Sequence, residues 1–135
     1  MECLAPGIKT PSRSTVRRLS LKKAAAARKA VKDYLKELRV RTHITTDCWS
    51  DKSQRSFGSF TVSYVDKDFN LKSLPGDVSR VEGRHTAANL AKWLTQKVEE
   101  HQLDVLTATT DSASSQVKAC NICIENDVIS ARPST

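Results

Sequence analysis

The sequence predicts an α/β domain built on one mixed β-sheet, with its elements in the order α-β-β-β-α-β-α. Three observations predict this fold: apolar residues recur at helical spacing in three segments, β-branched and alternating residues mark four strands, and short polar loops separate the elements. The chain has 135 residues, of which 39% are hydrophobic. This length and composition are typical of a single small domain with a modest core.

The first element is a long basic amphipathic helix, predicted over residues 15–39 after an irregular lead-in at residues 1–14. The lead-in contains prolines, a glycine and serines without apolar periodicity, whereas apolar residues recur at helical spacing from Thr15 onward. The other face of this helix is basic. The candidate DNA-binding residues of this segment are Arg13, Arg17, Arg18, Lys22, Lys23, Arg28 and Lys29.

The positive charge of the chain is concentrated in this N-terminal part. The formal net charge is +7, and 12 of the 22 Lys/Arg but only 3 of the 15 Asp/Glu lie in residues 1–43. A concentrated basic segment attracts phosphate backbones or anionic surfaces through counterion release. A solvated helix face explains the same charges, so the pattern fits both DNA contact and simple solvation.

Three strands are predicted after the helix. Val40–Thr46 is dense in β-branched residues and alternates apolar with polar side chains, which predicts a first strand that ends near Asp47. The second strand alternates through residues 60–65, and the third returns after a turn at residues 66–68. Together they predict an antiparallel hairpin whose last strand is stopped by Leu74–Asp77.

A helix, a strand and a further helix complete the predicted domain at residues 40–127, before a tail at residues 128–135. Thr86 is the expected N-cap of a helix that runs to about Leu103. Val105 opens a short strand that stops at Asp111, and a helical pattern resumes over residues 115–126.

This order brings two carboxylates together. A right-handed crossover would lay the fourth strand parallel to the first, so that Asp47 and Asp111 become neighbours at one sheet edge. Adjacent carboxylates repel each other and often bind a divalent cation, and such cations assist phosphoryl transfer. The alternative is that each aspartate is a turn former or a helix cap.

Neither a membrane segment nor a zinc site is expected. No apolar run approaches the ~18 residues that span a bilayer, so we expect an intracellular chain with reduced thiols and no membrane partner. Cys120 and Cys123 form a lone CxxC without a second Cys/His pair after it. Zinc binding would therefore need ligands from elsewhere.

Several motifs resemble those of hAT-superfamily transposases, a family that includes domesticated BED-type zinc-finger proteins. Thr45–Ser50 resembles the run "T-x-D-x-W-[ST]" around the first catalytic aspartate, and Thr10–Arg18 resembles "P-S-R-x-T-[LV]-x-R". Phe60–Leu71 is similar to the family's hairpin, and His85–Leu90 to "H-T-[AG]-x-N-[IL]". Thr110–Ala119 resembles "T-D-N-A-x-N-M-[VI]-K-A", with serines at both asparagine positions.

The resemblance implies an incomplete ribonuclease H-like core. Asp47 and Asp111 would be two of three metal-binding acids that cleave and join DNA with Mg²⁺ or Mn²⁺. The family's third acid, a glutamate, follows a large helical insertion, and no residue here corresponds to it, because Glu125 and Asp127 come too early. We therefore expect a transposon-derived fragment without independent cleavage activity, which associates with a fuller transposase-like protein.

The sequence also fits two other interpretations. The basic helix would serve a non-catalytic nuclear module that binds DNA or an acidic protein, or the chain would be a gene fragment without stable structure. The resemblance and the basic arm imply a nuclear location. His85 is a minor candidate for phosphate contact, although a histidine before a helix N-cap is more often structural or solvated.

Overall fold

A computed structural model describes residue 7 and residues 9–130; the rest of the predicted lead-in and residues 131–135 of the predicted tail lie outside these described residues. The predicted order of elements and the α/β class are confirmed. The elements are α1 Arg13–Leu38, β1 Arg41–Ser50, β2 Ser56–Val65, β3 Leu71–Val81, α2 Ala87–Glu100, β4 Asp104–Thr109 and α3 Ser114–Glu125.

Helix α1 begins two residues earlier than the sequence predicts. The Ser12 side chain accepts a hydrogen bond from the Thr15 backbone N–H at 3.2 Å, which caps the helix and places Arg13 in its first turn. At 26 residues the helix is about 39 Å long, and Leu35, near its C-terminal end, is its buried residue. The N-terminal half of α1 is therefore largely exposed.

The sheet has four strands in the order β3-β2-β1-β4. Strand β2 pairs antiparallel with both β1 and β3, so the predicted hairpin is present. Strand β4 pairs parallel with β1, as predicted from the crossover through α2. The C-terminal ends of β1 and β4 consequently lie at the same edge of the sheet.

Two predicted strand ends are wrong. Strand β1 does not end near Asp47, because residues beyond it keep pairing with β2 as far as Ser50, opposite Ser56. Strand β3 is not stopped by Leu74–Asp77 and runs on to Val81. A register shift opposite Phe60 absorbs one extra residue there, and β3 lies at the edge of the described sheet, where a proline is tolerated.

Trp93 of α2 is the bulky centre of the packing between this helix and the sheet. It is 5% exposed, and its ring meets the Phe60 ring edge-on at 6.4 Å between centroids. Its Nε1–H donates to Ser79 Oγ at 2.9 Å, so the one polar atom of the ring is satisfied. A Cβ placed on Gly58 would stand only 2.7 Å from the Trp93 ring, which is why this strand position carries no side chain.

Asp77 joins three elements through ion pairs. Its carboxylate is 6% exposed and accepts hydrogen bonds from Arg28 Nε of α1 at 2.8 Å and from Lys97 Nζ of α2 at 3.0 Å. Burial raises the pKa of Asp77, but the hydrogen bonds from Lys97 and Arg28 outweigh it and hold the net pKa below its ordinary value. The carboxylate is therefore charged at neutral pH and ties α1 and α2 to β3.

Within residues 9–130, none of the helices combines the length and the apolar character that a membrane span needs.

Candidate functional site

Asp47 and Asp111 lie at the edge of the sheet where β4 ends and β1 continues paired with β2 alone. The parallel register pairs Thr45 with Thr109, and each aspartate follows its threonine by two residues. Neighbouring strands are about 4.8 Å apart, so this register brings both residues to one place on the sheet edge. Both side chains are exposed.

Cys48 follows Asp47 in β1, and its thiol is partly buried. Burial, and to a smaller degree the negative charges of Asp47 and Asp111, raise the pKa of Cys48 to about 11. The free thiol is therefore protonated at neutral pH.

The two aspartates differ in their local roles. Asp111 Oδ1 accepts a hydrogen bond from the Ala113 backbone N–H at 3.1 Å, so this residue also shapes the turn before α3. Asp47 lies inside β1 and is paired with Ser59 of β2, and it is neither a turn former nor a helix cap. The turn before α3 thus gives Asp111 a local structural role. No such local role accounts for a carboxylate at Asp47.

Gln116 of α3 connects the two strand ends, and sequence reasoning missed it. Its Oε1 accepts a hydrogen bond from Thr110 Oγ1 at 2.6 Å, and its Nε2 donates to the Cys48 carbonyl at 3.1 Å. The side chain is 3% exposed, so these bonds form away from solvent. Gln116 therefore holds the residue after Asp47 and the residue before Asp111 in one arrangement. The sequence feature that could have revealed Gln116 is its position as a polar residue on the otherwise apolar face of α3.

The two carboxylates are donors of the type that a hard cation prefers. Carboxylate oxygens are the ligands that Mg²⁺ prefers, and Mg²⁺ commonly uses one or two of them together with water and substrate phosphate. In residues 9–130, no group of three or more His, Cys, Asp or Glu side chains is placed to hold a metal ion. Glu125 ends α3, about 16 Å along the helix from Ser114 at the acid edge, so it is no third acid there.

His85 precedes α2, whose predicted N-cap is present. Thr86 Oγ1 accepts a hydrogen bond from the Asn89 backbone N–H at 3.3 Å. His85 Nδ1 is buried and has no hydrogen-bond partner in the described part of the chain. Contact between His85 and a phosphate remains a prediction.

The seven candidate DNA-binding residues all lie on α1 and are exposed, but they fall into two groups. Arg28 is paired with Asp77, and Lys29 is paired with Asp33 at 2.8 Å. The other five have no ion pair within residues 9–130: Arg13, Arg17, Arg18, Lys22 and Lys23. We call these five residues the basic arm.

Comparison with known proteins gives relatives of two kinds. A Talaromyces stipitatus protein named as the transcriptional regulator tpeD is 34% identical over 85 residues, which are 62% of this chain and 10% of that protein. Two Zea mays proteins, named as the AC and AC9 transposases, are each 24% identical over 128 residues, which are 93% of this chain. The chain spans 16% and 15% of their lengths.

No solved structure matches the chain with significance. The model of one protein family, the ZBED1 RNase-like domain, matches residues 45–131. This match covers well over half of the chain and contains Asp47, Gln116 and Asp111. With the parallel pairing of β1 and β4, it confirms the fold and the resemblance that the motifs predict. The chain belongs to the ZBED1 RNase-like domain family and is derived from hAT-type transposases.

Proposed function

We propose that Asp47 and Asp111 are two acids of a transposase-type metal site, and that this 135-residue chain does not cleave DNA by itself. The observation that carries the proposal is the parallel register of β1 and β4, which brings both aspartates to one edge. Gln116 supports it, because it bonds the Cys48 carbonyl beside Asp47 and the Thr110 hydroxyl beside Asp111.

Each residue has a distinct part in this site. The carboxylates of Asp47 and Asp111 would hold Mg²⁺ or Mn²⁺, which supplies Lewis-acid stabilisation of the charge that develops in phosphoryl transfer. Gln116 keeps the two strand ends in register, and the Ala113 N–H orients the Asp111 carboxylate. Two carboxylates leave much of the coordination to water and phosphate, so metal affinity is expected to be weak without DNA.

The absence of independent cleavage follows from the incomplete set of acids. The third acid that the hAT resemblance implies has no counterpart among the described residues. A two-cation site for strand cleavage would have only two carboxylates here, one fewer than the three acids that the resemblance implies. The proposal therefore includes association with a fuller transposase-like protein, which would contribute that acid.

A cleavage assay tests this proposal. Supercoiled plasmid incubated with the chain and Mn²⁺ at millimolar concentration is expected to remain uncut at the level of an Asp47→Asn/Asp111→Asn variant. The variant is the matched control, because contaminating nucleases would copurify with both proteins. Nicking by the wild type alone would show that the site is complete without a third acid and would overturn the proposal.

A second candidate function is DNA binding through the basic arm in a nuclear protein. The observation that favours it is the exposure of five cations on the N-terminal half of α1. Such cations bind phosphates by releasing counterions, so affinity falls steeply with salt.

Salt-dependent binding of a labelled 25-base-pair duplex tests the basic arm. The variant Arg17→Gln/Arg18→Gln is expected to bind at least tenfold more weakly at 100 mM NaCl, with the slope of log K against log salt smaller by about 2. The control Lys67→Gln/Lys118→Gln removes the same charge from exposed positions on β2–β3 and α3. Equal affinities and slopes for the two variants would exclude the basic arm as the DNA contact.

A further inference from the structure

Phe69 occupies an unusual backbone position in the turn between β2 and β3. The Asp66 carbonyl accepts a hydrogen bond from the Phe69 N–H at 3.1 Å, and the Asp66 N–H donates to the Asn70 carbonyl at 3.0 Å. These bonds are typical of a three-residue hairpin loop whose last residue is left-handed. Phe69 has a φ of 61° at this position, which glycine ordinarily occupies because it has no Cβ.

The side chain of Phe69 is 90% exposed. Leu71 and Val65, which pair at the base of the turn, are 74% and 53% exposed. A bulky residue is strained at positive φ, and burial of its ring within the fold does not offset that strain here. We call these three residues the hydrophobic tip.

A cleft of about 380 Å³ lies at the same end of the sheet as the hydrophobic tip. Strands β1 and β4 begin at this end and β2 ends there, whereas Asp47 and Asp111 lie at the opposite end. The cleft is formed by the C-terminal end of α1, the start of β1 and the loop before β4. Its apolar lining residues are Leu35, Leu38, Val40 and Leu103. We call it the α1–β4 cleft.

The charged side chains of the cleft are mostly positive. Lys36 and Arg39 line it, and neither has an ion pair in the part of the chain that the structure describes. Its anionic lining residue, Asp104, lies 3.5 Å from Arg41. The cleft therefore offers two unpaired cations beside apolar walls.

The turn supplies a matching anion next to its aromatic ring. Asp66 lies 3.7 Å from Lys72, whereas Lys67 and Asp68 have no ion pair among residues 9–130. Asp68 directly precedes Phe69, so a ring inserted into the cleft brings this carboxylate to the two unpaired cations. Lys67 is one residue farther from the ring.

We propose that the hydrophobic tip of one copy of this chain inserts into the α1–β4 cleft of a second copy. The tip lies on the β3–β2 half of the sheet and the cleft on the β1–β4 half. A two-fold axis normal to the sheet at this end therefore places each tip opposite the other copy's cleft, and both contacts form at once. The contact is independent of the function proposed for the two aspartates, which remain open to solvent.

Sedimentation of the intact chain between about 5 and 500 μM tests the proposal. We expect a reversible dimer with a dissociation constant in the micromolar range, because each contact is smaller than a standard interface. Phe69→Gly is expected to weaken association at least tenfold and to keep or raise the melting temperature, since glycine adopts this φ without strain. Val78→Ala, which shortens an exposed side chain of β3 outside the tip, is the control that leaves association unchanged.

A charge exchange tests the pairing of turn with cleft. Asp68→Lys and Lys36→Glu are each expected to weaken association at least threefold, because like charges then meet. The double variant Asp68→Lys/Lys36→Glu is expected to recover the wild-type affinity within twofold. A wild type that stays monomeric throughout the concentration range would overturn the proposal. So would a dimer that Phe69→Gly leaves unchanged, or a double variant as weak as the single ones.

Discussion

Replacing Trp93 with alanine is expected to lower the free energy of unfolding by about 3–5 kcal/mol, the usual cost of removing a buried tryptophan. Trp93 is 5% exposed, covers Gly58 and meets Phe60 edge-on, so its removal leaves a cavity between α2 and the sheet. It also leaves Ser79 Oγ without the hydrogen bond that Nε1–H donates. Small domains have about 5–15 kcal/mol in total, so a large share of the stability would be lost.

Trp49→Ala is the matched control for this prediction, because the chain has only these two tryptophans. Trp49 is 41% exposed and stacks on Phe57 at 5.9 Å, so its loss is expected to cost about 1 kcal/mol. Urea unfolding followed by far-UV circular dichroism measures both variants without depending on tryptophan fluorescence. Equal losses for the two variants would show that α2 does not pack on the sheet through Trp93.

Much of the fold could be predicted because the apolar periodicity of the sequence agrees with the packing in the structure. Thr86 caps α2 as its side-chain type and position predict, and the apolar stripe of α2 faces the sheet. The parallel pairing of β1 with β4 followed from the rule for crossover connections, and with it the common edge of Asp47 and Asp111.

Strand ends were less predictable, because long-range pairing overrides local turn signals. Pro75 and Gly76 have the composition of a turn, yet β3 continues through them. Pro75 lies on an edge strand, where its missing N–H is tolerated. Gly76 is the extra residue of the register shift, and a side chain there would overlap the Phe60 ring. The local sequence indicates neither the edge position of Pro75 nor the register shift at Gly76.

The two acids of the candidate site could be predicted from the sequence, whereas the residue that positions them could not. The motifs around Asp47 and Asp111 carry strong resemblance, so the acids could be found by type and order. Gln116 acts through hydrogen bonds to Thr110 and to the carbonyl of Cys48, which is 68 residues away in sequence.

Mn²⁺ titration followed by nuclear magnetic resonance of the ¹⁵N-labelled chain tests the central claim most directly. Mn²⁺ broadens the signals of nearby nuclei, so at substoichiometric metal we expect the amide signals around Asp47 and those around Asp111 to broaden together. Either Asp47→Asn or Asp111→Asn alone is expected to abolish the effect, because one carboxylate holds the cation too weakly. Asp68→Asn, in the β2–β3 turn, is the control that leaves it unchanged. Broadening of one strand end without the other, or its survival in both single variants, would contradict a shared site for the two aspartates.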